Sequence, residues 1–295
     1  MPGKSLPWQM LGDAQLELGD LDDAAKSYAE MTRLDDGSAS TETRLARLAT
    51  MRGRLDKARE HLEAALDIVE QQGVANPDLV IWTRVQLGEL AFKRGDWDGA
   101  DAHFHAALEI APEHWSVLEH VAELEAARGH DAGAVAFYER AIAKAARPEL
   151  WQALGDYHAF AKRPDDAKRC HEKALAGYRA SIDRGELLYV HHLAGFFADS
   201  QEDAAEAVKW ARRDMEQRHG ALAWDALAWA LYRQGDIPAS LAATKKALAT
   251  GIADPHVLYH AAMIHLSAGE ISAGQSLLKR CAEVNPHFNA FHAHR

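Results

Sequence analysis

The side chains best equipped for chemistry in this chain are its 17 histidines, its aromatics and its 44 acidic residues. His256 and His260 stand four apart, a spacing that places two imidazoles on one helix face, where zinc, copper or nickel could be held. No glutamate follows in an H-E-x-x-H arrangement and no third ligand is evident. These two residues are therefore weak metal candidates, and no cofactor is expected. His265 shares their segment, His191 and His192 are adjacent, and His287, His292 and His294 cluster near the end. So many imidazoles give the chain a means of responding to pH near 6.5. Cys170 and His171 are sequence neighbours, so on a helix their side chains diverge and do not form a nucleophile–base pair. Cys170 and Cys281 are the two cysteines. They lie far apart without a CxxC, and they fit small core residues. GxSxG, GxxxxGK[ST] and strand-linked GxGxxG motifs are absent, so the chain is not expected to be an enzyme.

Charge narrows the partners. Lys and Arg number 33 against 44 Asp and Glu, a net charge of −11. Such a surface repels phosphate backbones and anionic membranes and suits a protein or peptide with a basic segment. No apolar run approaches the roughly 20 residues that span a bilayer, so membrane insertion is not expected. The stretch from Met1 to Pro7 lacks an apolar signal core. The chain as given therefore points to the cytoplasm, or to the periplasm if an upstream signal has been removed.

Those residues must be positioned by a repeating framework. A glycine separates two helical patterns at Gly19, Gly53, Gly95, Gly129, Gly235 and Gly269. Gly19 to Gly53, Gly95 to Gly129 and Gly235 to Gly269 are each 34 residues apart. Glycine supplies the left-handed residue that ends a helix. Five residues later comes a small residue (Ala24, Ala58, Ala100, Ala134, Ser240, Gly274) and, four further on in most copies, a large one (Tyr28, Leu62, Phe104, Tyr138, Leu278). Small residues let helices approach, and the large side chain packs one turn on.

On these slots the chain resembles the tetratricopeptide repeat family. Trp8-Gln9-Met10-Leu11-Gly12 and Trp151-Gln152-Ala153-Leu154-Gly155 match its opening, and Trp224-Asp225-Ala226-Leu227-Ala228 matches with Ala for Gly. Pro112 and Pro286 fall at its closing proline. The Tyr slot is poorly kept, holding Gln15, Ala49, Ala91 and His158. The fifth copy replaces the glycine with Lys162-Arg163-Pro164, and the degenerate sixth loses it to Asp199–Asp203 and carries a second helix that reads long. About eight copies begin near 5, 39, 81, 115, 148, 187, 221 and 255, with insertions at 71–78 and 177–185 and a tail over 285–295. The resemblance implies an all-α, right-handed solenoid occupying residues 1–295 as one unit, with the first helix of each hairpin on the concave face.

First-helix residues opposite the Leu-Gly edge then define a groove. In the first half these are Asp13, Glu17, Glu89, Glu119, Glu123 and Asp156, interrupted by Arg47 and Lys93. In the second half they are His191, Asp225, Trp229, Tyr232, Arg233, Tyr259, Met263 and Leu266. Aromatics beside an arginine are typical of binding hot spots. The Lys/Asn/Arg clamp of chaperone-binding family members is not matched, because its positions hold Gln9, Asp13, Glu17, Thr43, Arg47 and Met51. The leading expectation is a non-enzymatic scaffold gripping a protein or peptide. The alternatives are a His/aromatic-lined site for a small ligand or metal, and a homo-oligomer assembled through the solenoid ends.

Overall fold

The computed structural model describes residues 5–35, 37–71, 76–187 and 189–293. Met1–Lys4, residues 72–75 of the first insertion, and His294 lie outside them. Among the described residues there is no strand, and the helices run as eight antiparallel hairpins of an α-solenoid. They are α1 (Leu6–Leu18) with α2 (Leu21–Leu34), α3 (Ala39–Met51) with α4 (Leu55–Gln71), and α5 (Pro77–Lys93) with α6 (Trp97–Ile110). α7 (Trp115–Arg128) pairs with α8 (Asp131–Lys144), and α9 (Pro148–Phe160) with α10 (Pro164–Asp183). In the sixth hairpin α11 (Val190–Gly195) runs into a π-helical turn, Phe196–Ser200, before α12 (Ala204–Met215). α13 (Ala221–Gln234) pairs with α14 (Ile237–Leu248), α15 (Pro255–Ser267) with α16 (Ile271–Val284), and α17 (Ala290–Ala293) follows.

The hairpin turn is written in two residues. The six turn glycines have φ between 66° and 94°. In Gly95-Asp96 and Gly235-Asp236 the next residue caps the second helix, with Asp96 accepting from Gly99 N at 2.9 Å and Asp236 from Ala239 N at 3.1 Å. Lys162 (φ 58°) and Glu202 (φ 53°) take the left-handed position in the fifth and sixth hairpins, at a cost of about 1 kcal/mol each. Within each hairpin the small slot is the contact point: Ala24, Ala58, Ala100 and Ala134 are fully buried. A Cβ on Gly88 would lie 2.3 Å from the Phe104 ring, so the opening glycine makes room for the aromatic of its own second helix. Lysines of the second helices cover two of the opening tryptophans, Lys173 at 3.8 Å from Trp151 and Lys246 at 4.0 Å from Trp224.

Three local expectations are corrected. The third repeat begins at Pro77, capped by Asn76, four residues before 81. The long second helix belongs to the fifth hairpin, where α10 has 20 residues, while α12 of the sixth has 12. Leu278 is 36% exposed, and Leu277 fills the core in its place.

The superhelix also meets itself after one turn. His219 N donates to Leu18 O at 2.7 Å, and the turns at Gly19 and Gly53 lie against Gly220 and Gly251. A Cβ on Gly53 would stand 2.2 Å from Gly251 O, so this approach needs glycine for a second reason besides φ. Lys93 Nζ lies 3.1 Å from Asp254 Oδ2. Burial favours the neutral acid, but Lys93 and His256 outweigh it and hold Asp254 at about 2. Further along, Asn285 and Asn289 reach the carbonyls of Phe92 and Ala127.

Candidate functional site

First helices of consecutive repeats approach one another more closely than second helices do, as α5 with α7, α11 with α13 and α13 with α15 show. The inner face is therefore built from first helices. A side chain there finds its partner about 30 residues away, one repeat less one helical turn. Asp13 accepts a forked contact from Arg44 (Nε 3.0 Å, Nη2 2.8 Å) and a bond from the Tyr28 hydroxyl at 2.8 Å. Arg47 pairs with Glu17.

The acids near the middle of the chain close on a histidine. His120 Nδ1 lies 3.0 Å from Glu123 and its Nε2 lies 3.6 Å from Glu89. Burial disfavours the imidazolium, yet Glu89, Glu123 and Glu119 outweigh it and push His120 up to about 9. Glu123, expected on the groove surface, is 3% exposed and turned into the core, where this ion pair compensates it. Asp156 lies 2.8 Å from His171 Nε2 and accepts from Ser200 Oγ at 2.7 Å. Most acids of this half thus engage partners within the chain.

In the second half the expected aromatics converge. Trp229 stacks on His260 (centroids 4.0 Å, planes 11° apart) and on Tyr232 (4.9 Å, 27°). The Trp229 indole N–H donates to both oxygens of Asp199, at 3.0 and 2.9 Å. His260 Nδ1 lies 2.9 Å from Asp225. Burial opposes its charge, but Asp225 and Asp199 hold the imidazole above its ordinary value. Burial pushes the Asp199 carboxyl up, against the Trp229 bond. Arg233 approaches Asp199 at 3.9 Å and Glu202 at 3.4 Å. Tyr259 contacts Phe288 (5.4 Å), Met263 is half-buried, and His191 packs on His192 at 4.0 Å. His256 and His260 have ring centroids 5.5 Å apart, but Asp225 and the Trp229 face engage His260. Among the described residues no group of three or more His, Cys, Asp or Glu is arranged to hold a metal.

Sequence reasoning missed Arg44, His120 and His171, and it marked the break over Asp199–Asp203 as a bend or the edge of a binding site without giving Asp199 or Ser200 a partner. The one-repeat-less-one-turn spacing would have found several: Asp13 to Arg44, Glu89 to His120 and Asp199 to Trp229 are separated by 31, 31 and 30 residues.

Stacked helix hairpins joined by glycine turns define an α-solenoid. Tetratricopeptide-repeat models match residues 7–37, 37–113 and 85–149. The same hairpin continues through α16. The protein is a multi-repeat tetratricopeptide-repeat protein, and the general role of that fold is a protein-interaction scaffold. Among solved structures, a tetratricopeptide repeat protein from Parabacteroides merdae ATCC 43184 is 15% identical, with a TM-score of 0.48, over 86% of this chain and 95% of its own. A thermophilic TPR protein of Thermus thermophilus is 20% identical (TM-score 0.49) over 61% of this chain and 94% of its own. The APC/C hetero-tetramer Cut9-Hcn1 aligns at 14% identity (TM-score 0.47) over 93% of this chain and 58% of the matched one. Comparison with curated proteins finds no match. No helix among the described residues is long and apolar enough to cross a membrane.

Proposed function

We propose that the chain is a binding scaffold that takes a peptide or protein segment on its inner face, anchored at Trp229, Tyr232 and His260 with Arg233 and Asp199 beside them. The observation that carries this reading is the stacked Trp229–His260–Tyr232 cluster, which bridges the first helices of two repeats. Large rings held rigidly by their neighbours bind at low entropic cost, which suits them to be an anchor. A basic segment fits the net charge of −11, but Asp13, Glu17, Glu89, Glu123 and Asp156 already have internal partners, so the aromatic cluster carries the proposal. The role proposed is binding, and no catalytic step is assigned to this face. Peptides selected from a displayed random library on the immobilised chain should lose at least tenfold in affinity for Trp229→Ala with Tyr232→Ala, while the helical circular dichroism is retained. Unchanged affinity would remove this site.

A further inference from the structure

The ends of three first helices form a rail that the groove reading does not use. Phe92, Ala126 and Phe160 occupy the same repeat position, 34 residues apart, at the C-terminal ends of α5, α7 and α9. Helix C-termini leave carbonyls without intrahelical partners, and two carbonyls along this rail meet side-chain amides from residues 285–289, that of Phe92 while also accepting from Gly95 N at 2.9 Å. Asn285 Nδ2 and Asn289 Nδ2 each lie 3.5 Å from one, that of Phe92 and of Ala127 respectively. Phe291 then inserts edge-on between Tyr157 (6.2 Å, 75°) and Phe160 (5.7 Å, 68°) and is only 6% exposed. His292 stacks on Phe92 at 5.3 Å.

We propose that this rail is a recognition seat for a short segment with two asparagines four apart and a phenylalanine two residues beyond the second, and that residues 285–292 fill it reversibly in cis. The chemistry is specific. The carboxamide is a neutral N–H donor matched to a helix-end carbonyl. The ring is matched to a cleft whose far wall, Phe160, remains 38% exposed. The hold is local, because the segment beyond α16 contains one short helix, α17 (Ala290–Ala293). The proposal goes beyond the groove reading and does not depend on it.

A tethered segment competes at an effective concentration of about millimolar, so a free peptide at micromolar concentration should be excluded from the wild-type seat. The test uses the full-length chain carrying Asn289→Ala with Phe291→Ala, whose fold is checked by circular dichroism. The probe is a fluorescein-labelled synthetic peptide of residues 284–293. Anisotropy should show at least tenfold tighter binding to this variant than to wild type. That binding should be lost when Phe160→Ala is added or when the peptide carries Ala in place of Phe291. Equal affinity for wild type and variant, or binding indifferent to the peptide's phenylalanine, overturns the proposal. Hydrogen exchange on the wild type provides a second measurement. Amides of 286–292 should exchange at least tenfold faster than those of α16, as a detachable segment requires; exchange as slow as that of α16 overturns it.

Discussion

His120 offers a direct test of how the solenoid handles buried charge. Its side chain is 14% exposed and sits between Glu89 and Glu123. A folded-state value of about 9 against an ordinary 6.5 means that the native state holds this proton more tightly than the unfolded chain. The resulting stabilisation is fully present below pH 6.5 and is lost as pH rises through 9. A difference of about 2.5 units at 1.36 kcal/mol each gives roughly 3 kcal/mol. Replacing the histidine by glutamine keeps a donor but removes the charge. His120→Gln should therefore be less stable than wild type by about 2–3 kcal/mol at pH 6, and the gap should close by pH 10. Thermal melts of both proteins across that range measure the gap. NMR titration of the His120 ring gives the midpoint directly. Parallel melting curves at every pH, or a midpoint at or below 6.5, would refute the claim that the carboxylates outweigh burial.

Lys162→Gly should stabilise the chain by about 0.5–1 kcal/mol, since glycine takes the left-handed turn without the Cβ penalty; a lower melting temperature contradicts this. Gly235→Ala should cost about 1–2 kcal/mol for φ alone. Gly53→Ala should cost distinctly more, because its Cβ also meets Gly251 O; equal losses in urea titration would mean that the two superhelical turns do not touch there. Lys93→Gln should weaken the fold at pH 7 by about 1–2 kcal/mol. Asp254 stabilises the native state above its unfolded value near 3.8 and ceases to do so as pH falls towards 2, so the variant should unfold at a higher pH on acidification. An unchanged acid midpoint would count against the pairing.

The hairpins were legible in the sequence because their signal is local and repeated. Glycine spacing of 34 residues, a small residue five later and a large one four beyond suffice to place most helices. Register alone put Trp229, Tyr232 and Tyr259 on neighbouring first helices. Their partners were less legible, since Asp199 lies in the degenerate sixth repeat, where no glycine marks the turn and Glu202 takes its place. Glu123 was misplaced for a related reason. A carboxylate reads as surface until Glu89 and His120 are recognised as neighbours from the repeat before and the turn before. The contact between superhelical turns left no signal, because His219 against Leu18, or Asn289 against Ala127, depends on small rotations accumulated over several hairpins. Only the glycines hinted at it, and the same residues were already explained by their turns.

That contact bears on how the molecule comes apart. In an open solenoid each repeat feels its immediate neighbours, so unfolding can begin at an end and travel inward one unit at a time. Here the first and second hairpins lean on residues about 200 positions downstream, at Leu18 against His219 and at Gly53 against Gly251. The ends become mutually dependent, and fraying at one should loosen the other. The chain should fold late and together, with slow kinetics set by the long-range closure and not by its helices. A repeat array joined in this way behaves thermodynamically as a globule.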